Sequence, residues 1–513
     1  MHGDVVTSSG KNDLPTVIIV GGGLAGLSAV LAAVNANPDL KVILIDREAN
    51  LGGNSAKASS GINGAGTRVQ DNLHIEDSAE KFMIDTMAAG DYTNDEELVR
   101  VLTHQSKDCI HWLLDDVGIN LNDINLCGGH SVPRTHWIPS PKEGKPLPVG
   151  IGIIRQMKAK IDELISNGAK VEILLKTKVT ELITGSSSDK SGGRVTGVKI
   201  EHAGDGDALH EDEIKADAVI LTTGGFSNDH TAESLLTEFA PDKMNFPTTN
   251  GPFADGSGVK MARRLGAHLV DMEAVQIHPT GFVDAKDPQK TTKFLAAEAL
   301  RGKGALLLNQ EGQRFASELA RRDHLTDAIL KDCAFDSLVN AHTALLVMNT
   351  AAVDGFGWPA FNFYWQKLGF FSKYENAKEL ETALNIKQGA LAKTFADYKA
   401  SADHGEDAFG KRVFPVLFDP DETLYVAKIT PSIHYTMGGL QITPKAKILA
   451  GPSDNPKPLQ GLYGAGEVTG GVHGKNRLGG NSLLECVVFG RIAGENAAAF
   501  ATEMLGKQGR AEL

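Results

Sequence analysis

The chain has 513 residues, 64 acidic against 51 basic, a formal charge of −13, and four cysteines at positions 109, 127, 333 and 486. That length supports two or more buried cores. The acidic balance argues against a nucleic-acid binder, and the cysteine spacing against a disulfide framework, a zinc site or an Fe–S cluster. No apolar run reaches membrane-spanning length, and residues 1–14 carry neither a signal-peptide core nor the arginines of a transit peptide. The expectation is a soluble, cytoplasmic protein with a flexible stretch at 1–14 and no metal; a mitochondrial location by another route stays open.

A β-branched run at 17–20 ends in Gly21-Gly22-Gly23-Leu24-Ala25-Gly26, an Ala/Leu-rich helix follows over 27–34, and the strand Lys41–Ile45 closes on Asp46. This is G-x-G-x-x-G in its full strand–turn–helix–strand–acid setting, which separates it from a chance glycine loop. Gly21 permits the tight turn, Gly23 lets a pyrophosphate approach the main chain, and Gly26 lets helix and strand pack. The helix N-terminus faces phosphates, and Asp46 is placed to accept from a ribose hydroxyl. Residues 52–64 then form a loop of small and hydroxyl residues suited to phosphates and a flat ring.

Residues 76–118 read as helical packing, and 128–136, with His130, Arg134 and His136, as either a ligand contact or a plain loop. A helix over 153–166 and a strand over 171–175 follow. Segments 178–183 and 195–200 flank a Ser/Gly turn as a β-hairpin, a small antiparallel unit within a nucleotide-binding sheet. Another buried strand runs over 218–221 into Gly224. A loop at 250–258 leads into a helix over 259–265. From 273 to 435 the texture changes to charged and aromatic helices alternating with irregular segments. The first style returns at 461–467, and Ser482 is placed to cap a closing helix over 483–505. The fold class is therefore α/β: a Rossmann-like dinucleotide-binding domain (βαβ with an inserted antiparallel unit) over 15–272 and 436–513, plus an inserted α+β capping domain over 273–435.

Six blocks carry a family resemblance: residues 21–26; residues 52–66; Gln276-Ile277-His278-Pro279-Thr280-Gly281; Glu298-Ala299-Leu300-Arg301-Gly302; His434-Tyr435-Thr436-Met437-Gly438-Gly439; and residues 473–482. In this order they resemble the flavoprotein subunits of the fumarate reductase and succinate dehydrogenase family, and look most like its soluble, single-chain fungal and other eukaryotic members. The resemblance implies FAD, and a capping domain that closes over a dicarboxylate. It implies FAD contacts from Gly21, Gly23, Leu24, Ala25, Gly26, Asp46, Arg47, Gly53, Asn54, Ser55, Ser59, Ser60, Gly61, Ile62, Asn63, Val179, Thr223, Gly224, Asn250, Asp255, Tyr435, Glu467, Arg477, Gly480, Ser482 and Leu483. Substrate carboxylates fall to His278, His434, Arg477 and Gly480. Catalysis falls to His278 and to Arg322, the expected proton donor, resupplied through Glu298 and Arg301; Arg322 is preferred to Arg321 for its adjacent Asp323.

The residue types suit that chemistry. Arginine forks hold carboxylates, and polarising one carboxylate draws electron density from the carbon that receives a hydride from reduced flavin. A guanidinium is a weak acid, at about 12.5 or above unperturbed, so the site must be closed and rich in cations. Two departures stand out: Ala297 where many relatives place a threonine, and a polar insert over 284–292. The loop over 52–66 lacks the histidine that bonds FAD covalently in membrane-complex members, which implies non-covalent FAD and favours fumarate reduction. The expected activity is fumarate to succinate, with electrons from an external donor: NADH, reduced free flavin or a partner reductase. Rivals are a reductase or desaturase of another unsaturated substrate, urocanate or a steroid, and a flavin redox sensor without turnover.

Overall fold

The computed structural model describes residues 14–59, 61–139, 147–185, 193–203 and 209–511. The expectations for residues 1–13, for Ser60 and for the hairpin turn at 186–192 lie outside the described residues.

The strand Thr16–Val20 sits inside a six-stranded sheet, between Ala218–Leu221 and Lys41–Ile45. Val17 pairs with Ala218 on one side and Val42 on the other, both in parallel. Val171–Leu174 extends the parallel run at one edge and Lys457–Gly464 at the other, where Lys447–Ala450 adds an antiparallel strand. Apolar runs such as Val17-Ile18-Ile19 are buried on both faces, as a helix-covered parallel sheet requires. The helices Leu24–Ala36 and Asn481–Ala511 pack against each other over this sheet. Their approach is close: a Cβ on Gly490 would lie 2.6 Å from the Ala25 carbonyl oxygen.

A three-stranded antiparallel unit, Thr177–Thr184, Val195–Ala203 and Leu209–Lys215, is inserted ahead of Ala218–Leu221. The hairpin was legible; the third strand, Leu-His-Glu-Asp-Glu-Ile-Lys, hides because most of it faces solvent and lacks apolar alternation. Residues 76–118 form three helices, Ala79–Ala89, Glu96–His104 and Ser106–Asp115, rather than one helical run. The first ends at Gly90, and Asp91 and Tyr92 then adopt left-handed conformations at φ 54° and 58°.

The region from 273 to 435 is α+β, as expected, though its local reading as helices and irregular segments did not place its strands. Its centre is an antiparallel sheet built on the long strand Leu424–Thr436, which pairs with Val275–Phe282, Ala344–Asn349 and Ser372–Tyr374. Helices such as Arg322–Asp332 and Ala390–His404 flank it. Two apolar clusters fill it, one aromatic around Phe282, Phe361 and Tyr425, the other around Leu306, Leu380 and Phe395, both separate from the cluster beneath the parallel sheet. The strands were not placed because Leu424–Thr436 mixes apolar residues with Thr430, Pro431, Ser432 and His434 and is buried along nearly its whole length, so no period-2 alternation marks it. The insert over 284–292 is a run of turns. Among the described residues no helix is long and apolar enough to cross a membrane.

Candidate active site

The turn after Thr16–Val20 opens a long cleft. Gly21 has φ +107°, and any Cβ there would overlap the Thr222 carbonyl oxygen. A Cβ on Gly26 would collide with the Gly21 carbonyl. At Gly23, by contrast, an added Cβ would meet nothing nearer than Ser55 Oγ at 3.8 Å. The main chain there faces open space, and the helix Leu24–Ala36 begins at that point, three residues before the reading placed it. Asp46 lines the same end and accepts from the Gly22 and Glu48 amides at 2.7 and 2.8 Å. Burial raises its carboxyl above the usual range, against those two hydrogen bonds.

The cleft wall takes in nearly all of the residues expected at the cofactor: Gly21, Gly23 to Ala25, Asp46, Arg47, Gly53 to Ser55, Ser59, Gly61, Val179, Thr223, Gly224, Asn250, Tyr435, Glu467, Arg477, Gly480, Ser482 and Leu483. Four others stand behind it. Gly26 packs under the turn, Ile62 and Asn63 are fully buried, and Asp255 binds Arg47 at 2.7 Å. Asn63 is occupied with the 479–481 turn: its amide donates to the Gly479 carbonyl and Asn481 Oδ1, and it accepts from Thr135 Oγ1, all at 2.7 Å. The closing helix starts at Asn481, so Ser482 lies within its first turn and is not the cap. Ser59 Oγ and Thr223 Oγ1 are buried on the cleft wall without a protein partner. Orphaned hydroxyls beside an open glycine turn and a helix N-terminus fit a phosphate-bearing dinucleotide such as FAD.

Charged side chains stand beside the cleft, where Glu298 and Arg322 line an adjoining cavity that shares Arg477 with it. Arg322, 7% exposed, donates to Glu298 Oε2 from Nη2 at 2.9 Å and Nε at 3.3 Å, and to Gln276 Oε1 from Nη1 at 2.9 Å. Arg477 Nη2 donates to the same Gln276 oxygen at 3.1 Å. Glu298 Oε1 accepts from the Gly128 amide at 3.0 Å. Burial works to raise the Glu298 carboxyl, but Arg322 and Arg301 outweigh it and hold it at about 2. Arg301 is fully buried and donates from Nη1 to the Glu318 carbonyl, with Nε and Nη2 unpartnered. It acts on Glu298 through charge, since no hydrogen bond joins them among the described residues. Burial, then the neighbouring Arg322, pushes Arg477 down to about 10.

The two histidines meet edge to face with ring centroids 5.1 Å apart. His278 Nδ1 accepts from the Thr280 amide at 3.2 Å, which leaves the proton of the neutral ring on Nε2, an unpartnered buried donor. His434 Nδ1 lies 2.8 Å from Thr249 Oγ1. Burial and the Arg322 charge press both imidazoles well below their usual value, so both are neutral near pH 7.

The structure separates the two candidate arginines on grounds the sequence did not offer. Asp323 pairs with Arg321, at 2.8 Å, and Asp91 adds a second contact at 3.0 Å. Arg321 faces outward, while Arg322 turns into the cluster. Sequence reasoning also missed Gln276, which joins Arg322 to Arg477, although it sits inside a quoted motif. The stretch 128–136 joins the site through the Gly128 amide and the His130 side chain. Gly128 binds Glu298, His130 Nε2 donates to the Gly479 carbonyl at 2.9 Å, and Arg134 is fully buried against Asp77 and Asp85. Ala297 is buried and offers no hydroxyl where the resemblance led one to expect it.

Comparison with known proteins gives a consistent picture. A model of the FAD binding domain matches residues 16–483. The chain is 38% identical over 487 residues to a fumarate reductase of Schizosaccharomyces pombe, covering 94% of this chain and 89% of that protein. It is 37% identical to fumarate reductase 1 of Saccharomyces cerevisiae, over 94% of this chain and 99% of that one. The structure of the open conformation of a flavocytochrome c3 fumarate reductase is similar at a TM-score of 0.73 and 34% identity, covering 95% of this chain and 79% of that one.

Proposed function

The chain belongs to the FAD-binding flavoprotein family of the fumarate reductases and succinate dehydrogenases, and from that premise we propose that it reduces fumarate to succinate. It is an FAD-dependent oxidoreductase of fumarate reductase type; the substrate, the proton donor and the mode of cofactor attachment are the reading advanced here. When bound, FAD in its reduced state supplies the hydride.

The protein's own groups do the rest. His278 Nε2, His434 and Arg477 hold the two carboxylates, and the Gly480 turn shapes the wall beside them. Arg322 keeps a proton at its guanidinium, on the cavity wall it shares with Arg477, and Glu298 returns one to it. Arg301 keeps Glu298 ionised and ready to accept. The observation that supports this most is the cluster itself: among the described residues, of Arg301, Arg322 and Arg477 only Arg322 is ion-paired, to Glu298, and buried donors on His278, Arg301 and Arg477 are left unpartnered. A cationic surplus with idle forks suits a small dianion better than a monoanionic urocanate or an uncharged steroid. In this reading residues 273–435 form the cover, which reaches the cleft through Leu295, His434 and Tyr435, and the residues on either side hold most of the cofactor.

FAD is held without a covalent bond, since the 52–66 loop offers no histidine, and electrons come from NADH, free reduced flavin or a partner reductase. The purified protein, supplied with reduced viologen, is expected to turn over fumarate and to leave urocanate and acrylate untouched. Acid precipitation is expected to release all of the yellow colour. Turnover of urocanate in preference to fumarate would overturn the substrate; flavin left on the denatured pellet would overturn the mode of attachment.

A further inference from the structure

Arg477 rests on a buried chain of polar groups that the proposed reaction does not use. Its guanidinium carbon stands 4.3 Å from the centroid of the Tyr435 ring. The Tyr435 hydroxyl donates to Glu485 Oε2 at 2.5 Å, and His473 Nε2 lies 3.0 Å from the same oxygen. The His473 ring also meets Tyr435 edge on, with centroids 5.5 Å apart. Tyr435, His473 and Glu485 are 3%, 2% and 0% exposed. They come from the strand Leu424–Thr436, the turn before the closing helix, and that helix's first turns, so the fold brings them together from separate segments.

A buried carboxylate needs a compensating cation. Glu485 has no lysine or arginine within salt-bridge distance among the described residues; its one ion-pair partner is His473. The nearest guanidinium in the chain of contacts is Arg477, on the other side of the Tyr435 ring. Arg477, 5% exposed, likewise has no carboxylate partner among the described residues. Its guanidinium donates to Gln276 Oε1 at 3.1 Å and to the Leu478 carbonyl at 3.5 Å, and its Nε has no partner. The two charges are thus held one ring apart. A direct bidentate pair would satisfy both, but it would occupy the fork that a substrate carboxylate needs. A carboxylate accepting from the phenol instead enriches the ring's negative face, on which the guanidinium sits.

We propose that Glu485, acting through Tyr435 and braced by His473, is a positioning group that fixes Arg477 while leaving its fork open for a carboxylate. This rests on the reading of Arg477 as a substrate clamp. Neither Glu485 nor His473 touches the reacting atoms in it.

The test uses the FAD-loaded protein, with succinate titrated against the oxidised flavin spectrum and fumarate kinetics run in parallel. Glu485→Gln keeps an acceptor for the phenol and removes the charge; Tyr435→Phe removes one oxygen and keeps the ring; His473→Gln loosens the brace. The first two are expected to raise the succinate Kd and the fumarate KM about tenfold, the worth of a desolvated cation–π contact. Flavin content stays at the wild-type level and kcat falls far less than KM rises. His473→Gln shifts the same constants in the same direction, by less. Combining Glu485→Gln with Arg477→Lys should cost less than the two single losses together, because both act on one contact. Wild-type Kd and KM in Glu485→Gln and Tyr435→Phe would overturn the proposal, as would strictly additive losses. So would variants that lose flavin but bind succinate normally in the loaded fraction, which would make Tyr435 a cofactor wall alone. If Glu485→Gln does not assemble with flavin, Tyr435→Phe decides the matter. A wild-type protein that neither binds succinate nor consumes fumarate would overturn the clamp reading itself, a result distinct from unchanged variants of an active enzyme.

Discussion

At one end of the cleft the wall is main chain: the Gly21–Gly26 turn, the start of the helix Leu24–Ala36 and the open face of Gly23. Beside it stands side-chain charge: Arg322, Glu298, Arg477, His278 and His434, drawn from five separate segments, with Arg477 shared by the cleft and the adjoining cavity and joined to Arg322 through Gln276. In the proposed reading the first end holds FAD by shape and by amide donors, so a Cβ at Gly21 or Gly26 should break it while most polar changes are tolerated. In the same reading the second works through charge held without a full set of partners, so it should fail when one side chain is removed although its fold survives.

The comparison breaks most visibly at Arg322. Arg322→Ala is expected to keep FAD and lower kcat by ~10²–10⁴-fold, the usual worth of a placed acid. Arg322→Lys should recover little, for lack of the planar fork, and Arg321→Ala should stay active. Steady-state turnover at saturating fumarate decides; a dead Arg321→Ala beside an active Arg322→Ala would move the proton to the outward-facing arginine. At the glycine end, Gly26→Ala should do the reverse. Overpacking the turn costs ~1–3 kcal/mol, read as lost flavin content, while any molecules that retain FAD turn over at the normal rate. A normal flavin-to-protein absorbance ratio in Gly26→Ala would contradict the main-chain cradle.

Acid sharpens the contrast further. Glu298 is held at about 2, below the ordinary carboxylate value of 4.5. A depressed folded-state value means that its stabilising contribution is present above about 4.5 and is lost as the pH falls towards about 2. Glu298→Gln should therefore flatten the acid limb of thermal stability in that window. The smallest effects belong to the orphaned hydroxyls. Ser59→Ala and Thr223→Val should each weaken FAD by about 1 kcal/mol, one neutral hydrogen bond, measurable by fluorescence titration of the apoprotein, with fumarate KM unchanged.

These two ends also differ in how far they could be read from the sequence. The glycine end was legible because its signal is local: Gly21, Gly23 and Gly26 fall within six residues, and strand, helix and Asp46 follow in order. The charged end has no local signal. Gln276 lies 46 residues from Arg322 and 201 from Arg477, and no periodicity links positions so far apart. Resemblance brought Arg322 forward, yet the supporting detail misled, since Asp323 belongs to Arg321. Tyr435, Glu485 and His473 were quoted or passed over singly, and their joining depends on the packing of a strand against a helix. The third strand of the inserted unit and the sheet around Leu424–Thr436 were missed for opposite reasons: one is too polar to show alternation, the other too buried.

The most direct test of the central claim is a single turnover. The FAD-loaded protein, reduced anaerobically and mixed with fumarate in a stopped-flow instrument, is predicted to regain its oxidised flavin absorbance at least as fast as steady-state turnover. One succinate should form per flavin, with no comparable reaction on mixing with urocanate. Flavin that stays reduced in the presence of fumarate, or that reoxidises faster with urocanate, would contradict the account.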